Sequence, residues 1–203
     1  MRLLLLLFCL AGLIFAGCAS GDELRQPDEI ISQRIRTDYV LGDFSAPLMI
    51  EVYLDAECEF CRQFVQEFLP KLEKDYIEKG LVALRVRDFP LYPVNKKAYL
   101  AAKASYCAGD QGKYWEYLKA VYAENVLLTR DGFQEIAESV VVSRPDLFDA
   151  CLLADKYDLH LRWQLREGAK LEISALPTVF VGERRLDGLP KAEEFWDLIE
   201  EQL

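Results

Sequence analysis

Two cysteines separated by two residues are the feature that most constrains this chain. Cys58 and Cys61 follow closely on Leu48 to Leu54, a run rich in Leu, Ile, Val and Tyr that is typical of a buried strand. From Glu59 to Lys79, apolar residues recur every three or four positions, which predicts a helix with a kink at Pro70. The cysteine pair therefore stands where a strand turns into the N-terminus of a helix.

This position gives the two sulfur atoms different tasks. The free N–H groups and the positive dipole end of a helix N-terminus stabilise an anion, so Cys58 is predicted to be the nucleophilic thiolate. Cys61 lies one turn further on the apolar face, so it should be buried and should resolve the mixed disulfide that forms when Cys58 attacks a partner. The redox-active disulfide of this pair is the only cofactor that we predict.

Two other uses of the pair are an inert disulfide and half of a zinc site. A tetrahedral zinc site needs two more ligands, and the later cysteines, Cys107 and Cys151, do not form a second close pair. The 203 residues contain one histidine, His160, which excludes a His-rich metal site. We therefore predict no metal, and we expect His160 at the surface or boundary of its helix.

The N-terminus predicts export. Leu3 to Ala16 is apolar apart from one glycine, which is long enough for a signal peptide core and too short for a spanning helix. The junction Ala16-Gly17-Cys18 resembles a bacterial lipobox, so residues 1–17 are predicted to be a lipoprotein signal peptide and Cys18 to carry lipid. Ordinary leader cleavage near Ala19 and an uncleaved signal anchor are the alternatives. Either cleavage places the protein in an oxidising space, facing the periplasm or the cell exterior.

The rest of the chain divides into four parts. Residues 18–37 are predicted to be a lipid-anchored tether and lead-in, and residues 38–94 a β-α-β unit whose second strand is Leu81 to Arg87. Residues 95–170 have a helical pattern throughout, and residues 171–203 return to strands before a last helix. The sheet is thus built from both ends of the mature chain, with helices inserted in its middle.

Cap residues indicate where helices begin, and the net charge limits the possible partners. Thr129 and Ser143 are candidate N-caps in the helical part, and Pro145 suits a first helical turn. The formal net charge of −10 excludes a protein that tracks nucleic acid phosphates, so no nucleic acid partner is predicted.

Five further motifs extend the pattern over nearly the whole chain after the leader. They are Leu41-Gly42-Asp43 with Ala46-Pro47, Asp55 before Cys58, Arg87-Asp88-Phe89-Pro90-Leu91, Cys107-Ala108 with Gln111-Gly112-Lys113-Tyr114-Trp115, and Leu176-Pro177-Thr178. With these motifs the sequence resembles the DsbA-like thiol:disulfide oxidoreductases of the thioredoxin superfamily. The resemblance implies an α/β thioredoxin fold, a central mixed sheet flanked by helices, with an inserted α-helical subdomain.

The resemblance also implies roles for single residues. Pro177 would have a cis peptide bond and sit against the active-site pair, which makes it part of the catalytic site. Leu176 before it would contact the substrate, together with Glu59 and Phe60 between the cysteines. Cys107 and Cys151 would form a structural disulfide, although two buried free thiols are the alternative.

Two departures from the family pattern concern the mechanism. The family has a buried carboxylate six residues before the first cysteine, where this chain has Val52. Glu51 is one residue away and should face the other side of the sheet, so Asp55 or a water is left as the internal proton acceptor. Glu57 and Glu59 place negative charge beside the first cysteine, which opposes thiolate formation and predicts a milder oxidant than the strongest members of the family.

The expected function is that of a membrane-tethered thiol:disulfide oxidoreductase whose main activity is that of an oxidase. Its partners would be exported proteins with thiols or disulfides, a membrane redox protein that recycles the active site, and the membrane itself through the N-terminal lipid. A reductase or isomerase is the alternative among enzymes. A non-catalytic chaperone or binding lipoprotein with a thioredoxin fold is the alternative outside them.

Overall fold

Five strands form one mixed sheet in the computed structural model, which describes residues 39–90 and 95–203. They are β1 (Val40–Leu41), β2 (Leu48–Leu54), β3 (Val82–Asp88), β4 (Thr178–Val181) and β5 (Arg184–Asp187). Their order is β1-β3-β2-β4-β5, in which β2 and β3 are parallel and the other neighbours antiparallel. The predicted signal peptide, the Cys18 lipid site and residues 18–37 lie outside the described residues.

Seven helical runs accompany this sheet in the described ranges. The first, α1, is continuous over residues 59–77 and alternates α-helical with π-helical turns. Its segments are Glu59–Gln63 (α), Phe64–Phe68 (π), Leu69–Leu72 (α) and Glu73–Ile77 (π). The others are α2 (Lys96–Gly109), α3 (Tyr114–Val121), α4 (Arg130–Ser139), α5 (Pro145–Leu153), α6 (Asp158–Lys170) and α7 (Ala192–Gln202).

The π-helical turn at Phe64–Phe68 is the response of α1 to Pro70. A proline has no N–H to donate, so the regular hydrogen-bond pattern cannot continue through it. Just before Pro70, the Leu69 N–H donates to the Phe64 carbonyl oxygen, five residues back instead of four. The helix therefore continues past the proline. A second π-helical segment, Glu73–Ile77, follows further along the helix.

The two faces of the sheet differ in chemistry because side chains alternate along each strand. Ile50 and Val52 of β2 have no exposed surface and belong to the main core. The ring of Phe64 in α1 lies 5.9 Å from that of Phe195 in α7, so these two helices meet within that core. Glu51 lies on the opposite face, as its position in the sequence predicts.

Helices α2 to α6 form the insertion between β3 and β4, and a disulfide joins two of them. The sulfur atoms of Cys107 in α2 and Cys151 in α5 are bonded. Thr129 caps α4 as expected, since its hydroxyl accepts from the Gly132 N–H at 3.2 Å.

Two expectations for the insertion are wrong. Arg144, not Ser143, occupies the cap of α5, and the Ser143 hydroxyl donates instead to Gln111 Oε1 at 3.0 Å. His160 of α6 is only 1% exposed, not at the surface, because its ring packs against α2, where its Nε2 lies 3.2 Å from the Tyr106 hydroxyl.

Loss of the insertion disulfide should lower stability without touching the redox pair. The bond closes a loop with a sequence separation of 44. In the loop-entropy account this contributes about 4 kcal/mol, so the double variant Cys107→Ser/Cys151→Ser should lose about that much unfolding free energy in urea. Thiolate titration of Cys58 serves as the control and should be unchanged. A variant as stable as the parent would show that the bond carries no stabilisation.

Candidate active site at the Cys58 and Cys61 pair

The turn between β2 and α1 is organised by Asp55. Its carbonyl oxygen accepts from the Cys58 N–H at 3.0 Å, and its Oδ1 accepts from the Glu57 N–H at 2.7 Å. The other carboxylate oxygen, Oδ2, accepts from Asn95 Nδ2 at 2.9 Å, which ties the turn to the start of the insertion. Asp55 is 3% exposed, so the turn that presents Cys58 rests on a buried carboxyl group.

Cys58 is the N-cap of α1. Its backbone is extended, with φ −87° and ψ 118°, and its Sγ accepts from the Cys61 N–H at 3.2 Å. The thiol also faces the Leu176 carbonyl oxygen, to which it donates at 3.6 Å. Cys58 is partly exposed, whereas Cys61 has no exposed surface, and both are free thiols. A substrate can therefore reach the first sulfur and not the second.

The two thiols differ in acidity for physical reasons. Hydrogen bonding with the Cys61 side chain lowers the pKa of Cys58 to about 7, with help from backbone N–H groups, while burial and the Asp55 charge oppose the shift. Burial raises the pKa of Cys61 far above its ordinary value, and the neighbouring Cys58 raises it further. Near neutral pH the pair thus holds a thiolate at the accessible position and a protonated thiol below it.

The carboxylate that opposes the Cys58 thiolate is Asp55, whereas the sequence suggested Glu57 and Glu59. The Glu59 side chain is 74% exposed and its Oε2 lies 3.2 Å from Arg62 Nη1. Solvent and this cation screen its charge. The three-residue spacing of Glu59 and Arg62 on a helix was the signal that could have revealed the pairing.

The segment before β4 completes the site. The Leu176–Pro177 peptide bond is cis, and the Leu176 carbonyl oxygen is the group that faces Cys58. Phe60, between the two cysteines, is 57% exposed, so its apolar ring is open to solvent. The structure thus brings Cys58, Cys61, Leu176 and Pro177 together and leaves Phe60 at the surface beside them.

Glu51 takes no part in this site. Its Oε1 accepts hydrogen bonds from Arg85 at 2.5 Å and from Arg87 at 2.9 Å on the other face of the sheet. A carboxyl group to which the sequence argument gave no role, Asp88, lies at the end of β3, in register with Leu54, the last residue of β2. It is 5% exposed. The described residues contain no group of three or more His, Cys, Asp or Glu side chains that could hold a metal ion.

Comparison with known proteins identifies the family. The thioredoxin family profile matches residues 34–201. The chain belongs to the thioredoxin family. Disulfide bond formation protein D of Bacillus subtilis is 21% identical over 174 residues, which cover 83% of this chain and 78% of that relative.

Solved structures in the thioredoxin family share the fold. The oxidised form of BdbD from Bacillus subtilis superposes with a TM-score of 0.72 at 23% identity, covering 80% of this chain and 91% of that one. Wolbachia pipientis alpha-DsbA1 gives 0.69 at 24% identity, with 80% and 89% covered. The resemblance to the DsbA-like thiol:disulfide oxidoreductases, drawn from the sequence motifs, is confirmed.

Two carboxyl-to-carboxamide variants test which charge acts on the nucleophile. Asp55→Asn keeps an acceptor for the Glu57 N–H but removes the negative charge, so it should lower the pKa of Cys58 by up to about one unit. Glu59→Gln is the matched control and should leave that pKa unchanged. Thiolate absorbance of the reduced proteins, followed against pH, measures both. An equal decrease in the two variants would mean that the Glu59 charge reaches the sulfur.

Proposed function

We propose that this protein is an oxidase that introduces disulfides into exported proteins through Cys58 and Cys61. The observation that carries the proposal is the unequal acidity of the pair, a Cys58 with a pKa near 7 above a Cys61 whose thiol stays protonated. A thiol of low pKa is a good leaving group, and a good leaving group at the exposed position favours transfer of the disulfide to a partner. The name of the Bacillus subtilis relative, a disulfide bond formation protein, agrees with this direction.

The reaction has two exchange steps. A substrate thiolate attacks Cys58 Sγ, a bond forms between the substrate and Cys58, and the Cys58–Cys61 bond breaks. Cys61 leaves as a thiolate and takes up a proton. A second substrate thiolate then attacks the substrate sulfur of the mixed disulfide and releases Cys58 as a thiolate. The substrate loses two electrons and the protein gains them, so a membrane redox partner must reoxidise the pair.

Binding of the substrate would use the backbone at Leu176. The Leu176 carbonyl oxygen is directed to the sulfur of Cys58, and an extended substrate segment can pair with such a backbone edge. Phe60 offers an exposed apolar surface next to the reacting sulfur for a substrate side chain. Because backbone pairing and one apolar contact do not depend on a particular sequence, we propose a broad range of substrate proteins.

We further propose that the protein is exported and anchored by lipid on Cys18. The proposal rests on the apolar leader and the Ala16-Gly17-Cys18 junction, which lie outside the described residues. Within residues 39–90 and 95–203, no helix has both the length and the apolar character to cross a membrane. The domain would then act close to the membrane that holds its recycling partner.

A reactivation assay tests the oxidase. The oxidised protein should restore activity to a reduced, denatured enzyme that needs disulfides, and Cys58→Ser should abolish this. Reduced Cys61→Ser should attack a disulfide of an oxidised substrate through Cys58, release one substrate sulfur as a thiolate and accumulate the mixed disulfide, because the resolving thiol is missing. The Cys107→Ser/Cys151→Ser variant is the control and should retain the activity. Absence of both reactivation and trapped intermediate would contradict the proposal.

One observation favours a reductase as the second candidate. Asp55 raises the pKa of Cys58, which limits how far the thiolate, and with it the reduced form, is stabilised. A pair of this kind can also donate electrons. If the protein accelerates insulin reduction by dithiothreitol and fails to reactivate a reduced enzyme, the reductase is the better description.

A further inference from the structure

The backbone that faces the Cys58 sulfur belongs to an irregular segment, residues 171–177, between α6 and β4. The Leu176 carbonyl oxygen in this segment accepts from the Cys58 thiol at 3.6 Å. A carbonyl oxygen in that position favours the thiol over the thiolate, because only the thiol has a proton to donate. The groups that fix residues 171–177 therefore bear on the reactivity of Cys58.

One guanidinium group of the edge strand β5 holds the beginning of this segment. Arg185 donates from Nη1 to the Leu171 carbonyl oxygen at 2.5 Å and from Nη2 to the Glu172 carbonyl oxygen at 3.1 Å. Both carbonyl groups lie just beyond the end of α6, where the negative end of the helix dipole favours a cation. The planar guanidinium fork can bind two neighbouring acceptors at once, which the single amine of a lysine cannot do in the same geometry.

A buried hydroxyl group holds the end of the same segment. Thr178 is the first residue of β4 and has no exposed surface. Its Oγ1 donates to the carbonyl oxygen of Ala175, the residue before Leu176, at 2.6 Å. The same hydroxyl lies 3.2 Å from Asp187 Oδ1, because Thr178 and Asp187 are cross-strand partners of β4 and β5.

Asp187 joins the two attachments. Its Oδ1 accepts from Arg185 Nε at 2.9 Å and is also within reach of the Thr178 hydroxyl. Arg185 and Asp187 are two positions apart on β5, so their side chains lie on the same face of the sheet. The carboxylate thereby orients both the guanidinium that holds the start of the segment and the hydroxyl that holds its end. We refer to Arg185, Asp187 and Thr178 as the strand clamp.

We propose that Arg185 and Asp187 are positioning residues that hold the Leu176 carbonyl oxygen against the Cys58 sulfur. The inference rests on the proposed exchange at Cys58 and adds two residues of β5 that act on it through the backbone of residues 171–177. The Arg185 and Asp187 side chains are 28% and 49% exposed, so their ion pair contributes little to the stability of the fold. Its loss should let the carbonyl oxygen move away from the sulfur and leave the protein folded.

Titration of the Cys58 thiolate in reduced Arg185→Gln tests the strand clamp. The pKa of Cys58 should fall by about half a unit, which is the shift that the loss of one weak hydrogen bond to the thiol gives. Loss of a positive charge alone would raise that pKa instead, so the sign separates the two effects. The charges closest to Cys58, those of Glu57, Asp55 and the Glu59–Arg62 pair, are the same in both proteins. An unchanged or higher pKa overturns the proposal.

Arg184→Gln is the matched control. Arg184 precedes Arg185 on β5, is exposed and lies on the other face of the sheet, because side chains alternate along a strand. The substitution removes the same charge and leaves the strand clamp in place, so the pKa of Cys58 should keep its wild-type value. An equal decrease in Arg184→Gln would show that the effect does not pass through the clamp, and it would overturn the role of Arg185.

Two substitutions of Asp187 keep the test decisive if Arg185→Gln does not fold. Asp187→Ala and Asp187→Asn remove the same negative charge, but only the carboxamide retains an acceptor oxygen for Arg185 and Thr178. The pKa of Cys58 should fall in Asp187→Ala and return close to the wild-type value in Asp187→Asn. Equal pKa values in the two variants overturn the inference, because the hydrogen bonds of Asp187 would then have no effect on the thiol.

The thiolate titration also keeps this inference separate from the oxidase. It uses the reduced protein without a substrate, so it reports on the strand clamp even if the reactivation assay fails. The pKa of Cys58 is about 7, so the thiol is mostly ionised at pH 8. A fall of half a unit should then shift the equilibrium of Arg185→Gln with glutathione about threefold toward the reduced pair. An unchanged equilibrium, or a shift toward the oxidised pair, contradicts the proposal.

Discussion

The hydrogen bond from the Cys61 N–H to the Cys58 sulfur atom is the interaction on which the redox site depends. It exists because Cys58 is the N-cap of α1, where the first N–H groups of a helix have no partner of their own. A sulfur atom there receives both the hydrogen bond and the positive end of the helix dipole. The same geometry places Cys61 in the core. The start of one helix therefore makes the Cys58 thiol acidic and keeps the Cys61 thiol buried and protonated.

The sheet and the insertion convert this local geometry into a protected site. The parallel pair β2 and β3 brings Asp55 and Asp88 to the edge that carries the cysteines, and the insertion covers that edge with Tyr106, Tyr122 and Gln164. In a buried setting each charge acts strongly on its neighbours. Negative charge close to Cys58 then limits thiolate formation, from which we predict a moderate oxidising strength.

The fold could be predicted largely from local patterns, whereas the electrostatics of the site could not. The apolar run of β2 and the periodicity of α1 placed the cysteine pair correctly, because both patterns lie within a few residues of it. Strand β1, with two residues, is too short for any periodic signal. The burial of Asp88 depends on Gln164, 76 residues away in the sequence, and no local pattern shows such a contact. Glu59 was assigned an effect that belongs to Asp55, because side-chain direction decides which charge reaches the sulfur.

The equilibrium of the Cys58–Cys61 pair in a glutathione buffer at pH 7 tests the central claim most directly. Stabilisation of the Cys58 thiolate by the helix N-terminus, opposed by Asp55, predicts a reduction potential above that of thioredoxin at about −270 mV and below that of the strongest DsbA-type oxidant at about −120 mV. A potential at or below the thioredoxin value would contradict the account, because the reduced form would then gain too little from the Cys58 thiolate to drive disulfide formation.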